Sequence, residues 1–254
     1  MNTIESLLQK IESAKDLDFG NIFSESIELF KKTWLQGFVI LLITMLLMLP
    51  FYILMYAPLI ASGMFDPETL NSGQMDMSVM LPFYGLMLIA VFAGMIIGFG
   101  LKAAFFRICK QKDFNDLSKD DYFYFFKKPY LGKTIKLGAI SFGLFLGAYT
   151  LCFFPVIYMM VPIAIINIIY AFNPDISVSN IVKAGFKLGN KKWLITFGLI
   201  FVAGILASLV GMIMCFIGIL FTASFAYIPV YFIYKKSIGF DAHSAIDEIG
   251  TVIE

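Results

Sequence analysis

Residues 137–172 read LGAISFGLFLGAYTLCFFPVIYMMVPIAIINIIYAF, a run of 36 residues without a charged side chain. As a single helix this run would be about 54 Å long, whereas the hydrocarbon core of a bilayer is about 30 Å thick. The run must therefore enter a membrane and fold back, and Pro155 near its middle is where we expect the helix to break.

Three further charge-free runs contain the other crossings. Residues 35–56 and 79–101 each match one span, and residues 194–234 are long enough for two, with a turn expected between Gly211 and Gly218. The fold class is predicted to be all-α, a polytopic six-helix transmembrane bundle formed by residues 1–254 as a single membrane domain. The predicted spans are 35–56, 79–101, 137–154, 156–172, 194–212 and 217–234.

Composition agrees with a membrane location. Hydrophobic residues make up 59% of the chain and charged residues 15%, against about 45–50% and about 25% in soluble domains. This composition argues against a soluble enzyme and a disordered protein, and the net charge of +1 argues against binding to nucleic acid.

The basic residues predict the orientation of the six spans. All 19 Lys and Arg residues lie on one side if the N-terminus is cytoplasmic, within residues 1–34, 102–136, 173–193 and 235–254. Only Asp66, Glu68 and Asp76 are charged on the other side. By the positive-inside rule, both termini are expected in the cytoplasm.

Apolar residues recur at helical spacing within the cytoplasmic segments, as in Ile4, Leu7 and Ile11. The same spacing is found in residues 19–30 and 178–186. We interpret these segments as amphipathic interfacial helices whose apolar faces either lie in the inner leaflet or pack on the spans. Ser118 and Asp121 form a capping-box pattern that predicts a further helix over residues 122–125.

Small residues four positions apart occur in three spans and predict close helix packing, within the bundle in preference to between copies. These candidate packing residues are Gly94 and Gly98, Gly143 and Gly147, and Gly204 and Ser208.

Ionisable residues are missing from all six predicted spans. Proton relays, ion sites and intramembrane catalytic centres usually depend on such residues, so the chain is not expected to be an enzyme. The single histidine, His243, cannot supply a zinc-binding HExxH pair. The acidic residues Asp113, Asp116, Asp120 and Asp121 are expected to be solvated in preference to binding a metal. We therefore predict no catalytic residues, no cofactor and no metal site.

Asn167 is the most notable polar residue within a span. An amide in hydrocarbon needs a partner, so Asn167 either bonds to a neighbouring helix or lines a substrate cavity. Among the cysteines, Cys109 is expected to be a cytoplasmic thiol. Cys152 and Cys215 lie near the outer turns and are either free thiols or a disulfide.

Two segments resemble the bacterial YciC-like membrane proteins. They are FPVIY at residues 154–158 and AGFKLGNKKW at residues 184–193. That family is similar to the membrane portion attached to some glycerophosphodiester phosphodiesterases. The resemblance implies six spans in a bacterial cytoplasmic (inner) membrane. It implies no phosphodiesterase activity, because these 254 residues contain no soluble catalytic domain, and it supplies no catalytic residues.

These observations favour a non-enzymatic scaffold, assembly factor or complex subunit, with membrane lipid and other membrane proteins as partners and no nucleic acid. The alternative is a carrier of a neutral or lipidic solute. An enzyme would need its site in the cytoplasmic loops.

Overall fold

The computed structural model describes residues 3–63, 77–151, 153–214 and 217–240, and all regular secondary structure in these ranges is helical. Two 3₁₀ turns, Tyr124–Phe126 and Ala223–Tyr227, accompany the α-helices. The prediction of an all-α fold is confirmed. The α-helices of the described ranges are α1 (Ile4–Ser13), α2 (Phe19–Ala61), α3 (Met77–Asp113), α4 (Lys128–Thr150), α5 (Phe153–Phe172), α6 (Val178–Lys191), α7 (Trp193–Ile213), α8 (Gly218–Thr222) and α9 (Ile228–Ser237).

Six helical segments in the described residues are long and apolar enough to cross a membrane, which confirms the predicted six-helix bundle. They are Phe19–Ala61, Met77–Asp113, Lys128–Thr150, Phe154–Phe172, Trp193–Ile213 and Gly218–Ser237.

The first of these segments, α2, is much longer than the span predicted within it. Its 43 residues correspond to roughly 64 Å of helix, about twice the thickness of the hydrocarbon core. The Asp18 side chain caps it by accepting a hydrogen bond from the Asn21 amide at 2.7 Å. The apolar pattern of residues 19–30 therefore belongs to the start of α2 and does not form a separate interfacial helix.

Each of the two long apolar runs is divided between two helices, but the first break comes before Pro155, which lies within α5. α4 ends at Thr150 and α5 begins at Phe153, while α7 ends at Ile213 and α8 begins at Gly218. A Cβ atom on Gly211 would lie 2.8 Å from the Ile219 Cα, so a glycine is needed where these two helices meet. The last crossing differs from the single helix predicted over residues 217–234, because a 3₁₀ turn separates α8 from α9.

The short amphipathic helices α1 and α6 pack on the rest of the chain. α1 buries Leu7 and Ile11, and α6 buries Ile181 and Leu188, all four with no exposed surface. α6 approaches α5 so closely that a Cβ atom on Gly185 would lie 3.1 Å from the Ile166 Cα. The apolar faces of α1 and α6 are therefore directed at the bundle.

The segment between α3 and α4 contains no α-helix, so the helix predicted from the capping-box pattern is wrong. Asp116 accepts hydrogen bonds from both the amide and the hydroxyl of Ser118, each at 2.8 Å. Ser118 is thereby held in a local turn, and only the 3₁₀ turn Tyr124–Phe126 follows.

Candidate functional site

A cavity of about 380 Å³ lies among α2, α3, α4 and α5, with α7, the second 3₁₀ turn and α9 completing its wall. Its volume falls in the usual range for small-molecule sites, about 300–1,000 Å³. Most of its lining is apolar, including Phe145, Val156 and Met160. The polar residues Lys102, Ser141 and Asn167 also line it.

Asn167 on α5 is 2% exposed and lines the cavity. Its Nδ2 atom donates to the Phe99 carbonyl on α3 at 2.8 Å. Its Oδ1 atom is buried and accepts no hydrogen bond. The amide nitrogen therefore joins two helices, while the amide oxygen is enclosed by the surrounding atoms without a donor.

Ser141 on α4 contributes a second unsatisfied polar atom. The residue is 1% exposed, it lines the cavity, and its Oγ atom has no hydrogen-bond partner. A serine hydroxyl within a helix commonly bonds to the carbonyl four residues earlier, as Ser26 does to Ile22. A buried polar atom without a partner is unfavourable by about 1–3 kcal/mol, and the Ser141 and Asn167 atoms are both enclosed by protein with almost no accessible surface.

Lys102 on α3 is the only basic residue among the described residues that line the cavity. Its Nζ atom lies 4.3 Å from the centre of the Tyr227 ring, which lines the same cavity. Within the described residues, Lys102 makes no ion pair and no hydrogen bond. Lys102 directly follows the charge-free run 79–101, where a lysine usually marks the membrane surface, but it also lies four residues after Gly98 and eight after Gly94, on the same helix face.

The predicted packing residues have varied surroundings. Gly94 and Gly98 line the cavity, and a Cβ atom on Gly94 would lie 3.3 Å from the Met48 Cε atom. A Cβ atom would meet nothing within 4 Å at Gly98, Gly143, Gly147 or Gly204. Gly143 and Gly147 on α4 and Ser208 on α7 are exposed.

Other glycines occupy the closest helix contacts. A Cβ atom on Gly138 of α4 would lie 2.8 Å from the Ile96 Cα, and one on Gly189 of α6 would lie 3.1 Å from the Pro162 Cα. Backbone atoms cannot move aside as the end of a flexible side chain can. These positions therefore need glycine, and the spacing of small residues in the sequence did not single them out.

The acidic residues of the loop after α3 have their own partners. Asp120 pairs with Lys112 at 3.1 Å, and Asp121 pairs with Lys127. Burial, together with the Asp120 carboxylate, raises the pKa of Tyr122 to about 12, so this phenol stays protonated. No group of three or more His, Cys, Asp or Glu side chains is placed to hold a metal ion among the residues described.

The three cysteines and the single histidine are the remaining residues that the sequence singled out. Cys109 is a buried free thiol on α3. Cys152, Cys215 and His243 lie outside the described residues.

The fold and the cavity define a class: an all-helical, multi-pass membrane protein with a partly polar cavity among its helices. No known family model matches the sequence, and searches of curated proteins and of solved structures also found no match.

Proposed function

We propose that this chain is a non-enzymatic, multi-pass protein of the bacterial inner membrane that binds and carries a lipidic solute in the cavity among α2, α3, α4 and α5. The observation that carries the proposal is a cavity of about 380 Å³ among these helices, whose largely apolar lining includes the polar residues Lys102, Ser141 and Asn167. A membrane supplies amphiphiles that combine an apolar chain with a polar group, which is the combination this lining would satisfy.

The burial of α1 and α6 favours the carrier hypothesis over the hypothesis of a scaffold, assembly factor or complex subunit. The scaffold hypothesis depended on amphipathic cytoplasmic segments that could dock partner proteins. Leu7, Ile11, Ile181 and Leu188 of these segments are buried within the chain itself. The strongest argument for a docking surface is therefore lost, whereas the cavity favours the carrier.

The orientation with both termini in the cytoplasm is part of the proposal and rests on the distribution of Lys and Arg. In a cysteine-free variant, a single cysteine replacing Ser118 should resist membrane-impermeant maleimide in intact cells. One replacing Asn71 should react. The reverse pattern would contradict the orientation. The relationship to YciC-like proteins is likewise proposed from the two resembling segments alone.

Lipid extraction from purified protein tests the function. Gly98→Leu places a side chain in the cavity, where a Cβ atom has nothing within 4 Å. Gly143→Leu is the matched control, because this glycine is also helical and unobstructed but lies on an exposed face outside the cavity.

We expect wild type and Gly143→Leu to retain the same co-purifying amphiphile, detected by mass spectrometry of the organic extract, and Gly98→Leu to lose most of it. Equal retention by all three proteins would show that the lipid is peripheral and would contradict the proposal. If a protein partner co-purifies in stoichiometric amount and no amphiphile is bound, the result would contradict the carrier and favour the scaffold hypothesis.

A further inference from the structure

We infer that the cavity takes up the hydrocarbon chain of its solute, leaves the polar head at the end marked by Lys102, and selects chains by length through Phe145 at the opposite end. This inference rests on the proposed function, and it adds which part of the solute is recognised and which residue sets the specificity. Three observations carry it: the apolar surface of the wall, the direction of the cavity along α3, and the volume of the cavity.

The cavity wall presents mainly hydrocarbon to a solute. The Asn167 Oδ1 and Ser141 Oγ atoms are enclosed by protein, and the Asn167 Nδ2 atom is bonded to the Phe99 carbonyl. The Thr44 hydroxyl, also in the lining, donates to the Ile40 carbonyl of its own helix at 2.8 Å. Because these side-chain groups are used or shielded within the wall, covering them with a hydrocarbon chain leaves no new polar atom without a partner.

Lys102 identifies the polar end of the cavity. It is half-buried, and it directly follows the charge-free run 79–101. A lysine in such a position covers apolar surface with its methylene groups and extends its ammonium toward water. An ammonium held away from water without an anion is strongly unfavourable. The polar head of a solute therefore remains at this end, where water is within reach.

α4 runs antiparallel to α3 along the cavity. A Cβ atom on Gly138 would lie 2.8 Å from the Ile96 Cα. Four residues further along α4, the Phe142 ring contacts the Phe92 ring, with the two centres 5.2 Å apart. Residue numbers thus increase along α4 while they decrease along α3. Later residues of α4 therefore lie farther from Lys102.

Phe145 forms the apolar end of the cavity. It lines the cavity and lies three residues beyond Phe142, a rise of about 4.5 Å along α4. Phe92, at the level of Phe142, is ten residues from Lys102, which corresponds to about 15 Å along α3. A chain of at least this length therefore fits between the two ends and points from Lys102 toward Phe145.

The volume of the cavity limits the length of the chain. It is about 380 Å³, whereas an apolar protein cavity of about 150 Å³ holds benzene with its six carbon atoms. By this proportion the cavity holds roughly 15 carbon atoms. We therefore expect a lipid with a single chain of myristoyl or palmitoyl length to fill the cavity.

A series of saturated monoacylglycerols tests this selection, because only the chain differs among its members. Delipidated full-length protein is equilibrated in detergent with an equimolar mixture of the octanoyl, lauroyl, myristoyl, palmitoyl, stearoyl and arachidoyl compounds. Native mass spectrometry then measures how much of each compound is bound. We expect occupancy to rise up to the palmitoyl chain and to gain nothing from the two longer chains.

Variants of Phe145 identify the residue that sets this limit. Phe145→Ala extends the apolar end and should move the limit by at least one member of the series toward longer chains. Phe145→Trp fills the same end and should move the limit toward shorter chains, and it provides an independent readout if the alanine variant does not fold.

Phe201→Ala is the matched control. Phe201 also lies in an apolar helix and stacks on a neighbouring ring, that of Phe197, as Phe145 stacks on Tyr149. Unlike Phe145, it is exposed and does not line the cavity. The control should keep the wild-type limit.

The position of the head is tested with one chain and two heads. Palmitoyl glycerol and palmitoyl lysophosphatidylcholine share the chain and differ in the head, and we expect wild type to bind both to the same extent. A preference between the two heads that exceeds the preference among chains would overturn the inference.

The remaining outcomes separate the inference from the proposed function. If both Phe145 variants keep the wild-type limit, or if occupancy rises with every longer chain, the selection by length is overturned and the lipid-binding function stands. If wild type binds none of the probes and Gly98→Leu retains the same amphiphile as wild type, the proposed function itself falls.

Discussion

The Asn167 side chain donates a hydrogen bond to the main-chain carbonyl of Phe99 at 2.8 Å, and this bond joins α5 to α3 at the wall of the cavity. The bond uses only half of the amide, because Oδ1 is buried without a donor. An unsatisfied buried oxygen is unfavourable, so the contribution of Asn167 to the fold is the bond between two helices that form the cavity wall.

Replacing Asn167 separates its structural and binding roles. Asn167→Leu loses one interhelical hydrogen bond, worth about 0.6 kcal/mol on average in membrane proteins, and removes a buried unpaired acceptor worth about 1–3 kcal/mol of destabilisation. We expect the ligand-free variant to be about 0.4–2.4 kcal/mol more stable in thermal unfolding, while solute binding weakens because the cavity lining loses a polar residue. A loss of more than about 1 kcal/mol would mean that Asn167 is mainly structural.

Gly138 and Gly143 on α4 provide a matched test of helix packing. Gly138→Ala places a Cβ atom 2.8 Å from the Ile96 Cα, and we expect a loss of about 1–3 kcal/mol from this overpacking. Gly143→Ala meets nothing within 4 Å and should gain about 0.5–1 kcal/mol from the reduced flexibility of the unfolded chain. Thermal unfolding in detergent measures both, and equal effects would contradict the described α3–α4 contact.

The docking of α1 on α6 should depend on pH. The hydrogen bond and positive charge of Lys187 lower the pKa of the Glu12 carboxyl below its ordinary value of 4.5. A lowered folded-state pKa contributes stability above pH 4.5 and loses it as the pH falls through the folded value. We expect hydrogen exchange in α1 to accelerate in acid below this value.

The control for this pH dependence is Glu12→Gln, which removes the titrating group. Its α1 exchange should lack the acid-dependent change after correction for the intrinsic exchange rate. Indistinguishable corrected profiles for the variant and wild type would show that the pair with Lys187 does not hold α1.

The Asp113 carboxylate joins α3 to α9 and should contribute to stability. Its Oδ2 atom accepts from the Tyr231 hydroxyl at 2.6 Å and from Lys235 Nζ at 2.5 Å. Tyr231→Phe removes one hydrogen bond to a charged group, and we expect a loss of about 1–3 kcal/mol in unfolding free energy. Tyr52→Phe, at an exposed tyrosine on α2, should have no effect. A Tyr231→Phe variant as stable as wild type would contradict the described contact.

The six crossings could be predicted from the sequence because each one must be a continuous run of apolar residues. Bilayer thickness sets the length of the run, and the unfavourable burial of charge excludes charged residues from it. The 3₁₀ turn before α9 could not be predicted in this way. Ser224 in that turn meets α2 at Gly37, where a Cβ atom would lie 2.4 Å from the Ser224 Cβ. Such a contact between distant segments leaves no periodic pattern in either of them.

The candidate site was only partly predictable. Asn167 stood out because a lone amide within a span needs a partner. Lys102 was overlooked because a lysine after an apolar run usually marks the membrane surface, although its spacing from Gly94 and Gly98 places all three on one helix face. Which glycines touch another helix depends on how the helices are rotated, so sequence spacing did not distinguish Gly138 from Gly143.

Photo-crosslinking of a diazirine-bearing oleoyl lysophosphatidate in native membranes, with the adducts mapped by mass spectrometry, tests the binding cavity most directly. We expect adducts on the cavity-lining parts of α3 and α5, lost in Gly98→Leu and retained in Gly143→Leu. Adducts confined to exposed positions such as Leu46 and Ile53, unchanged in Gly98→Leu, would contradict it.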